Sequence, residues 1–240
     1  MKKFLAKEEF FMPGEEMNFI TNNINFISQY GYAFLIGALK TIEISFISII
    51  CGMILGTFLA LMKLSKSHIL KLISTAYIEI IRGTPMLVQI TIVYFGLKAV
   101  IPENLTFFRS TIFLCSLAIS VNSAAYVAEV IRGGIQSVEK GQMEGARSLG
   151  LTESQAMKHI IIPQAIKNIL PALVNEFISL IKESSVVFTV GITDLFYVGK
   201  NLQSTLFNTK PLYFAALIYL LITFSLSKTM GLLERKLSHD

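Results

Sequence analysis

Apolar residues in this chain gather into runs too long and too unbroken for the core of a water-soluble domain. Ile44–Met62, Ser110–Ala128 and Pro211–Ser227 contain no charged residue at all. A helix needs roughly 20 apolar residues to cross the hydrocarbon layer, and in lipid each backbone polar group must be paired internally, so such runs predict helices. Two further stretches are less clean. Gly83–Pro102 opens after Glu79 and Arg82 and carries Lys98, and Asn168–Gly191 contains Pro171, Glu176, Lys182 and Glu183. Counting both gives five spans, near residues 34–62, 83–101, 110–132, 168–190 and 211–232. The expected fold is an all-α integral membrane domain over 31–237, with an extracellular segment 1–30 before it and a long cytoplasmic loop at 133–167.

Composition supports the class. Of 240 residues 53% are apolar and 15% charged, against about a quarter charged in a soluble domain. The net charge of +5 does not point to nucleic acid, because the basic residues form no patch. They sit where apolar runs end, which suits an anionic lipid surface. Lys63, Lys66 and Lys71, then Arg132, Lys140, Arg147, Lys158 and Lys167, then Arg235 and Lys236, all fall on one side of a five-span arrangement. The excess of Lys and Arg on cytoplasmic loops puts that side inside, the N-terminus outside and the C-terminus in the cytoplasm. Met1–Phe19 mixes Lys2, Lys3 and Lys7 with four glutamates and has no continuous apolar stretch, so it reads as a surface segment rather than a cleaved signal. Cys51 and Cys115 lie inside apolar runs as fillers, and His68, His159 and His239 are too dispersed for a metal. Gly52-x-x-x-Gly56 is spaced for close helix packing within the bundle.

The stretch between the third and fourth spans carries the most information. Residues 144–149 favour a helix, and Gly150 falls where a helix end takes the left-handed conformation. Thr152 with Gln155 three residues later forms a capping box for a second helix through Met157 and Ile160. That helix is expected to stop before Pro163, with Ile160–Ile162 against the membrane. A DNA-reading helix–turn–helix is excluded by the flanking spans and the near balance of charge. An amphipathic hairpin lying on the membrane without a partner remains open.

Glu144-Gly145-Ala146, Gly150 six residues after the Glu, and Ile162-Pro163 with its Pro thirteen after the Gly resemble the EAA loop of bacterial ABC importer permeases. Gly145 stands in place of the first Ala of that pattern and Ile162 in place of its Leu. Arg82-Gly83-Thr84-Pro85-Met86-Leu87-Val88-Gln89 and Asn175-Glu176-Phe177-Ile178-Ser179-Leu180-Ile181-Lys182-Glu183-Ser184-Ser185 are similar to segments of the polar-amino-acid branch of that family. The resemblance implies a five-helix permease bundle with cytoplasmic coupling helices in the bacterial cell membrane. It implies partners as well: two ABC ATPase subunits, a second permease as homodimer or related heterodimer, and an extracellular binding protein that delivers a polar amino acid. Glu144, Gly145, Ala146, Gly150, Ile162 and Pro163 become the expected ATPase-coupling residues. No phosphate-cradling G-x-x-x-x-G-K-[ST] loop is present, so the chain is not expected to be an enzyme or to hold a cofactor, and ATP with Mg belongs to the partner ATPase.

Polar groups inside the spans are candidates for the pathway, since ionisable residues there are costly. Asn175, Ser179 and Lys182 share one stripe of the fourth span, and Glu176 and Glu183 an adjacent one. Asn122 and Tyr126, with Glu129, mark a face of the third span, and Thr84, Pro85 and Gln89 bring a distorted backbone and an amide to the second. A zwitterionic amino acid needs an acceptor for its ammonium, met by Glu176 or Glu183, and a donor for its carboxylate, met by Lys182 or by amides freed near Gly83–Thr84. The competing reading pairs Lys182 and Glu183 with residues of the neighbouring span, and Glu79 and Arg82, one turn apart, read as a structural pair or a lipid-headgroup anchor near the cytoplasmic face. A self-sufficient ion-coupled transporter using the same charges is the alternative function.

Overall fold

The structure is a computed structural model that describes the backbone of residues 13–239 and the side chains of 21–232. The expectations on Met1–Met12 and on the side chains of Arg235, Lys236 and His239 lie outside the described residues. Helices make up the fold, and no strand occurs among the described residues.

Helix α1 (Pro13–Leu64) has 52 residues, about 78 Å at 1.5 Å per residue. That is more than twice the roughly 30 Å of hydrocarbon it has to cross. It starts at a proline, whose missing N–H would be unbonded in a first turn anyway. It runs unbroken through position 30, so no break in the chain marks the start of the expected first span.

The second span departs from expectation. In place of one helix over 83–101, α2 (His68–Arg82) and α3 (Met86–Val100) meet at 104° across Gly83-Thr84-Pro85. Pro85 has no N–H to continue the ladder, and its ring disfavours helical geometry at Thr84. At 15 residues α3 is about 22 Å long, short of a full crossing. The punctuation was present in the sequence, but α2, whose apolar residues alternate with Lys71 and Glu79, did not stand out as part of the same unit.

Helix α4 (Thr111–Gln136) occupies the centre, capped by Ser110, whose hydroxyl accepts from the Phe113 N–H at 3.2 Å. Leu114, Cys115, Ala118, Ile119 and Val127 are buried with Ile44 and Ile49 of α1 and Ile90 and Tyr94 of α3. α1 and α4 lie almost backbone to backbone at the glycine pair. A Cβ on Gly56 would sit 2.7 Å from the Val127 side chain and 2.8 Å from the Ala124 carbonyl oxygen, and one on Gly52 3.0 Å from Ser123. At the end of the bundle where α1 stops, Glu129 ties the two helices together, with Lys63 at 2.6 Å and Arg132 at 2.7 Å.

Two short helices follow. α5 (Lys140–Ser148) and α6 (Glu153–Ala156) form a hairpin, and here a second expectation fails. The chain does not stop before Pro163. α6 passes through a π-helical stretch, Met157–Ile161, directly into α7 (Ile162–Glu183). Within the wider turn the Ile162 N–H bonds the Met157 carbonyl, five residues back. That widening gives the Pro163 ring room where an α turn would drive it into a carbonyl. The loop expected over 133–167 is therefore mostly helix.

α7 ends in a 3₁₀ segment, Ser184–Val190, before α8 (Leu195–Leu206) and α9 (Lys210–His239). Asp194 caps α8, accepting from the Tyr197 N–H at 2.9 Å, the Phe196 N–H at 3.3 Å and the Tyr219 hydroxyl of α9 at 3.2 Å. The Leu195 N–H donates to Thr41 of α1 at 3.1 Å. Burial pushes the Asp194 carboxyl up to about 6. This cluster fastens α8 to α1 and α9. An Asp before an apolar run is a legible cap signal, but its two distant partners left no trace in the sequence.

Three helices are long and apolar enough to cross a membrane (Thr21–Leu64, Thr111–Gln136 and Lys210–Leu232), and the bent pair α2–α3 qualifies as a fourth. α7, with 22 residues, is about 33 Å long but carries the charges already noted. Replacing Gly56 by Leu should force α1 off α4 and cost about 1–3 kcal/mol, the usual effect of overpacking. Thermal unfolding in detergent checks it, and an unchanged midpoint would show that α1 and α4 are not in contact there.

Candidate functional site

The hairpin closes by local chemistry alone. Gly150 adopts φ +89°, a left-handed conformation that costs other residues about 1–2 kcal/mol. Its N–H bonds the Arg147 carbonyl at 3.1 Å, and the Leu151 N–H bonds that of Ala146 at 3.2 Å. This pair of bonds is a Schellman motif, which satisfies the last carbonyls of α5. On the other side of the turn the capping box forms as expected. The Thr152 N–H donates to the Gln155 side chain at 2.9 Å, and the Gln155 N–H to the Thr152 hydroxyl at 3.3 Å.

The expected coupling residues divide into two sets. Ala146 is 3% exposed and turned into the hairpin, where Ala156 and Ile161 are buried too. Glu144, Gly145, Gly150, Ile162 and Pro163 are exposed. The sequence reading missed Leu149, which is 82% exposed at the tip of the turn. An apolar residue just before a helix-ending Gly is a usable signal, but Leu149 was read only as the last residue of a helix-favouring stretch. Gln164 of α7 reaches Gln142 of α5 at 3.3 Å, and Asn168 reaches Ser137 at 2.8 Å, so the hairpin is tied to the base of α7. Lys66, just past α1, meets Glu153 of α6 at 2.8 Å and holds its carboxyl below the usual range. Both groups are exposed, so the pair adds little stability.

The polar groups of the spans converge on one turn of α4. Asn122, 4% exposed, donates to the Gln89 side-chain oxygen at 2.8 Å. The Gln89 amide in turn donates to the Ile81 carbonyl at 2.7 Å, the Thr84 carbonyl at 3.1 Å and the Thr84 hydroxyl at 2.7 Å. Gln89 is thus the staple of the α2–α3 bend. The backbone amides expected to be free there are bonded: Gly83 N–H to Glu79 at 2.9 Å and Thr84 N–H to Ile81 at 3.5 Å. Ser123, the next residue on α4, donates to Glu176 of α7 at 3.1 Å. Tyr126 lies under the Arg82 guanidinium, 5.3 Å from its ring centre, so Arg82 stacks on an aromatic ring instead of pairing with Glu79. Asn175, Lys182 and Glu183 are exposed on α7, with Ser179 half-buried among them. Ser123 was legible only as a neighbour of Asn122, since nothing in its own context marks it.

Comparison with known proteins gives the chain that carries this polar turn, bend and capped hairpin a family. Residues 52–239 match the family model of the binding-protein-dependent transport system inner membrane component. The chain belongs to that family. It is 41% identical to the arginine transport system permease protein ArtQ of Bacillus subtilis over 205 residues, covering 85% of this chain and 92% of that protein. It is 38% identical to the nopaline transport system permease protein NocM of Agrobacterium fabrum, over 81% of this chain and 83% of that one. Among solved structures it superposes on an amino acid ABC transporter with a TM-score of 0.79 and 42% identity, over 88% of this chain and 96% of the other. The chain is therefore a multi-pass membrane permease of the ABC importer class, and the ion-coupled alternative falls away.

In this family member, Gln89→Leu should leave Asn122 and the carbonyls of Ile81 and Thr84 without their partner. A loss of about 1–3 kcal/mol is expected, chiefly from the buried Asn122. Thermal stability of the purified protein checks it, and a variant as stable as the parent would show that the bend does not depend on this amide.

Proposed function

We propose that this chain is the subunit through which an ABC importer passes a polar amino acid, delivered by an extracellular binding protein and driven by separate ATPase subunits. The observation that carries the proposal is the hairpin. It projects Glu144, Gly145, Leu149 and Gly150 outward from a Schellman turn, and its second arm runs without a break into α7. A cleft on an ATPase subunit that gripped this surface would move a span directly. Leu149 supplies the apolar anchor, Glu144 a charged contact, and the two glycines allow close approach. Ala146 acts from inside, by holding the hairpin's shape.

On this reading the chain crosses the membrane five times, α7 being one of the spans, with the hairpin and the C-terminus in the cytoplasm. A second permease completes the pathway. Glu176 and Glu183 receive the ammonium of the cargo and Lys182 its carboxylate. Gln89, Asn122, Thr84 and Pro85 shape the wall through the stapled bend rather than by offering bare amides. ATP and Mg stay on the partner. Relatives named for arginine and nopaline support a nitrogen-rich or amino-acid-like cargo.

Gly150→Val should strain the turn by about 1–3 kcal/mol and abolish substrate-stimulated ATP hydrolysis in the reconstituted complex while leaving the chain in the membrane. Normal stimulation in that variant would overturn the coupling role.

A further inference from the structure

Where α1 meets the α8–α9 turn, at the end of the bundle away from the hairpin, the helices leave an open cavity of about 390 Å³. That volume lies in the range of about 300–1,000 Å³ that small-molecule sites occupy. Asn22, Asn25 and Gln29 of α1 line it, with Asn208 of the turn and Lys210 of α9. The side chains of Asn25 and Gln29 have no partner among the described residues. Asn208 accepts from the Lys210 N–H at 2.9 Å through its side-chain oxygen, which leaves its NH₂ unused. The lining holds no acidic residue, and no ion pair among the described residues includes Lys210. Neutral groups alone hold its ammonium: the Asn22 carbonyl at 3.2 Å and the Phe26 ring, 4.9 Å from its centre. A cation ringed by unused amide donors suits an anion with several acceptor oxygens.

Depth says which anion. Lys210 and Lys228 bound the charge-free run of α9, so Lys210 stands where that helix leaves the hydrocarbon. Phe34 packs on Phe214 with ring centres 6.2 Å apart, which puts Tyr32 and Tyr213 at one level just inside it. Both tyrosines are exposed, as rings at a membrane–water boundary are. Farther along the stripe of α9 that begins at Lys210, Leu217, Leu221 and Phe224 are exposed too. An apolar track therefore leads from the cavity into the membrane. Phosphodiesters of lipid headgroups are the anions that stand at this level.

We propose that this cavity binds the headgroup of an anionic phospholipid, in the leaflet away from the hairpin. Lys210 meets the phosphodiester as a point charge. The amides of Asn25, Gln29 and Asn208 bond its oxygens and the hydroxyls of a glycerol-type headgroup, and an acyl chain lies along the α9 track. Because the lining has no carboxylate, an ethanolamine or choline cation finds no counter-charge there, so headgroups without a cation are preferred. The bound lipid ties α1 to the α8–α9 turn.

The test is lipid binding to the full chain, purified in detergent with its ATPase and read by native mass spectrometry. Dioctanoyl phosphatidylglycerol should bind once per permease chain, and more tightly than dioctanoyl phosphatidylcholine. Lys210→Gln should weaken it about fivefold, the effect of one lysine near an anionic lipid surface, and Lys210→Arg should retain it. Lys200→Gln, which removes the same charge from an exposed position on α8, should leave binding unchanged. Equal binding of the two lipids would overturn the proposal, as would a Lys210→Gln chain that binds no more weakly than Lys200→Gln. Inorganic phosphate or glycerol 3-phosphate bound as tightly as the lipid, and lost with Lys210→Gln, would overturn the lipid as the source of the phosphate. Asn25→Leu, at an exposed position of α1, serves if Lys210→Gln does not fold, and undiminished phosphatidylglycerol binding there would overturn the amide contacts. Binding alone is read, so failure here leaves the importer reading standing.

Discussion

A polar group that α4 carries into the bundle is costly unless it finds a partner inside the protein, because lipid offers none. Asn122 takes Gln89, Ser123 takes Glu176, and Tyr126 takes the Arg82 guanidinium. Three other elements, α3, α7 and the end of α2, are thereby indexed to one turn of one helix. α1 is indexed to that turn by sterics instead, since Gly52 and Gly56 bring its backbone against Ser123, Ala124 and Val127. Ser116 is the one buried hydroxyl among the described residues without a partner. The architecture is a set of helices docked around a polar hub and wrapped in apolar side chains.

The hub explains a division of labour in the fold. Lys63, Glu129 and Arg132 close one end of the bundle, and Asp194 with Thr41 and Tyr219 fastens α8 and α9 to α1 near the other. Between those clamps, α7 touches the hub through Glu176 and is held at its base by Asn168 and Gln164. Its upper part passes into a 3₁₀ segment. Of the helices in the bundle, α7 is joined at its base to the exposed hairpin and at its top to an irregular stretch. That is the position expected of a moving element.

Much of this was legible in the sequence, and the pattern of success follows from range. The three clean spans, the close-packing glycines, the left-handed turn at Gly150 and the Thr152–Gln155 box are decided by neighbours within a turn or two, and all were read. The bend at Thr84–Pro85 was half legible: its punctuation was visible, but α2 is too amphipathic to announce itself as half of a span. Pro163 misled, because proline ends a helix only when nothing accommodates its ring, and the π turn over Met157–Ile161 does so. Side-chain partnerships were invisible. Glu176 finds Ser123 across 53 positions and Leu195 finds Thr41 across 154, and no local rule foretells either. Ala146 was assigned to a contact surface by motif alone, although its place on the inner side of α5 depends on how the hairpin closes.

The unbroken passage from hairpin to span has a mechanical consequence. Linkers with loose joints lose motion at each joint, whereas a rod about 33 Å long delivers at its tip whatever angle is imposed at its foot. On the proposed reading, leverage of that kind would turn a rocking of about 10° into a sideways sweep of about 6 Å, wide enough to part or close two facing walls around a small solute. On that reading, a single added methylene at the foot would spoil the fit to the gripping cleft, so the foot would have to be the most exactingly shaped part of the lever.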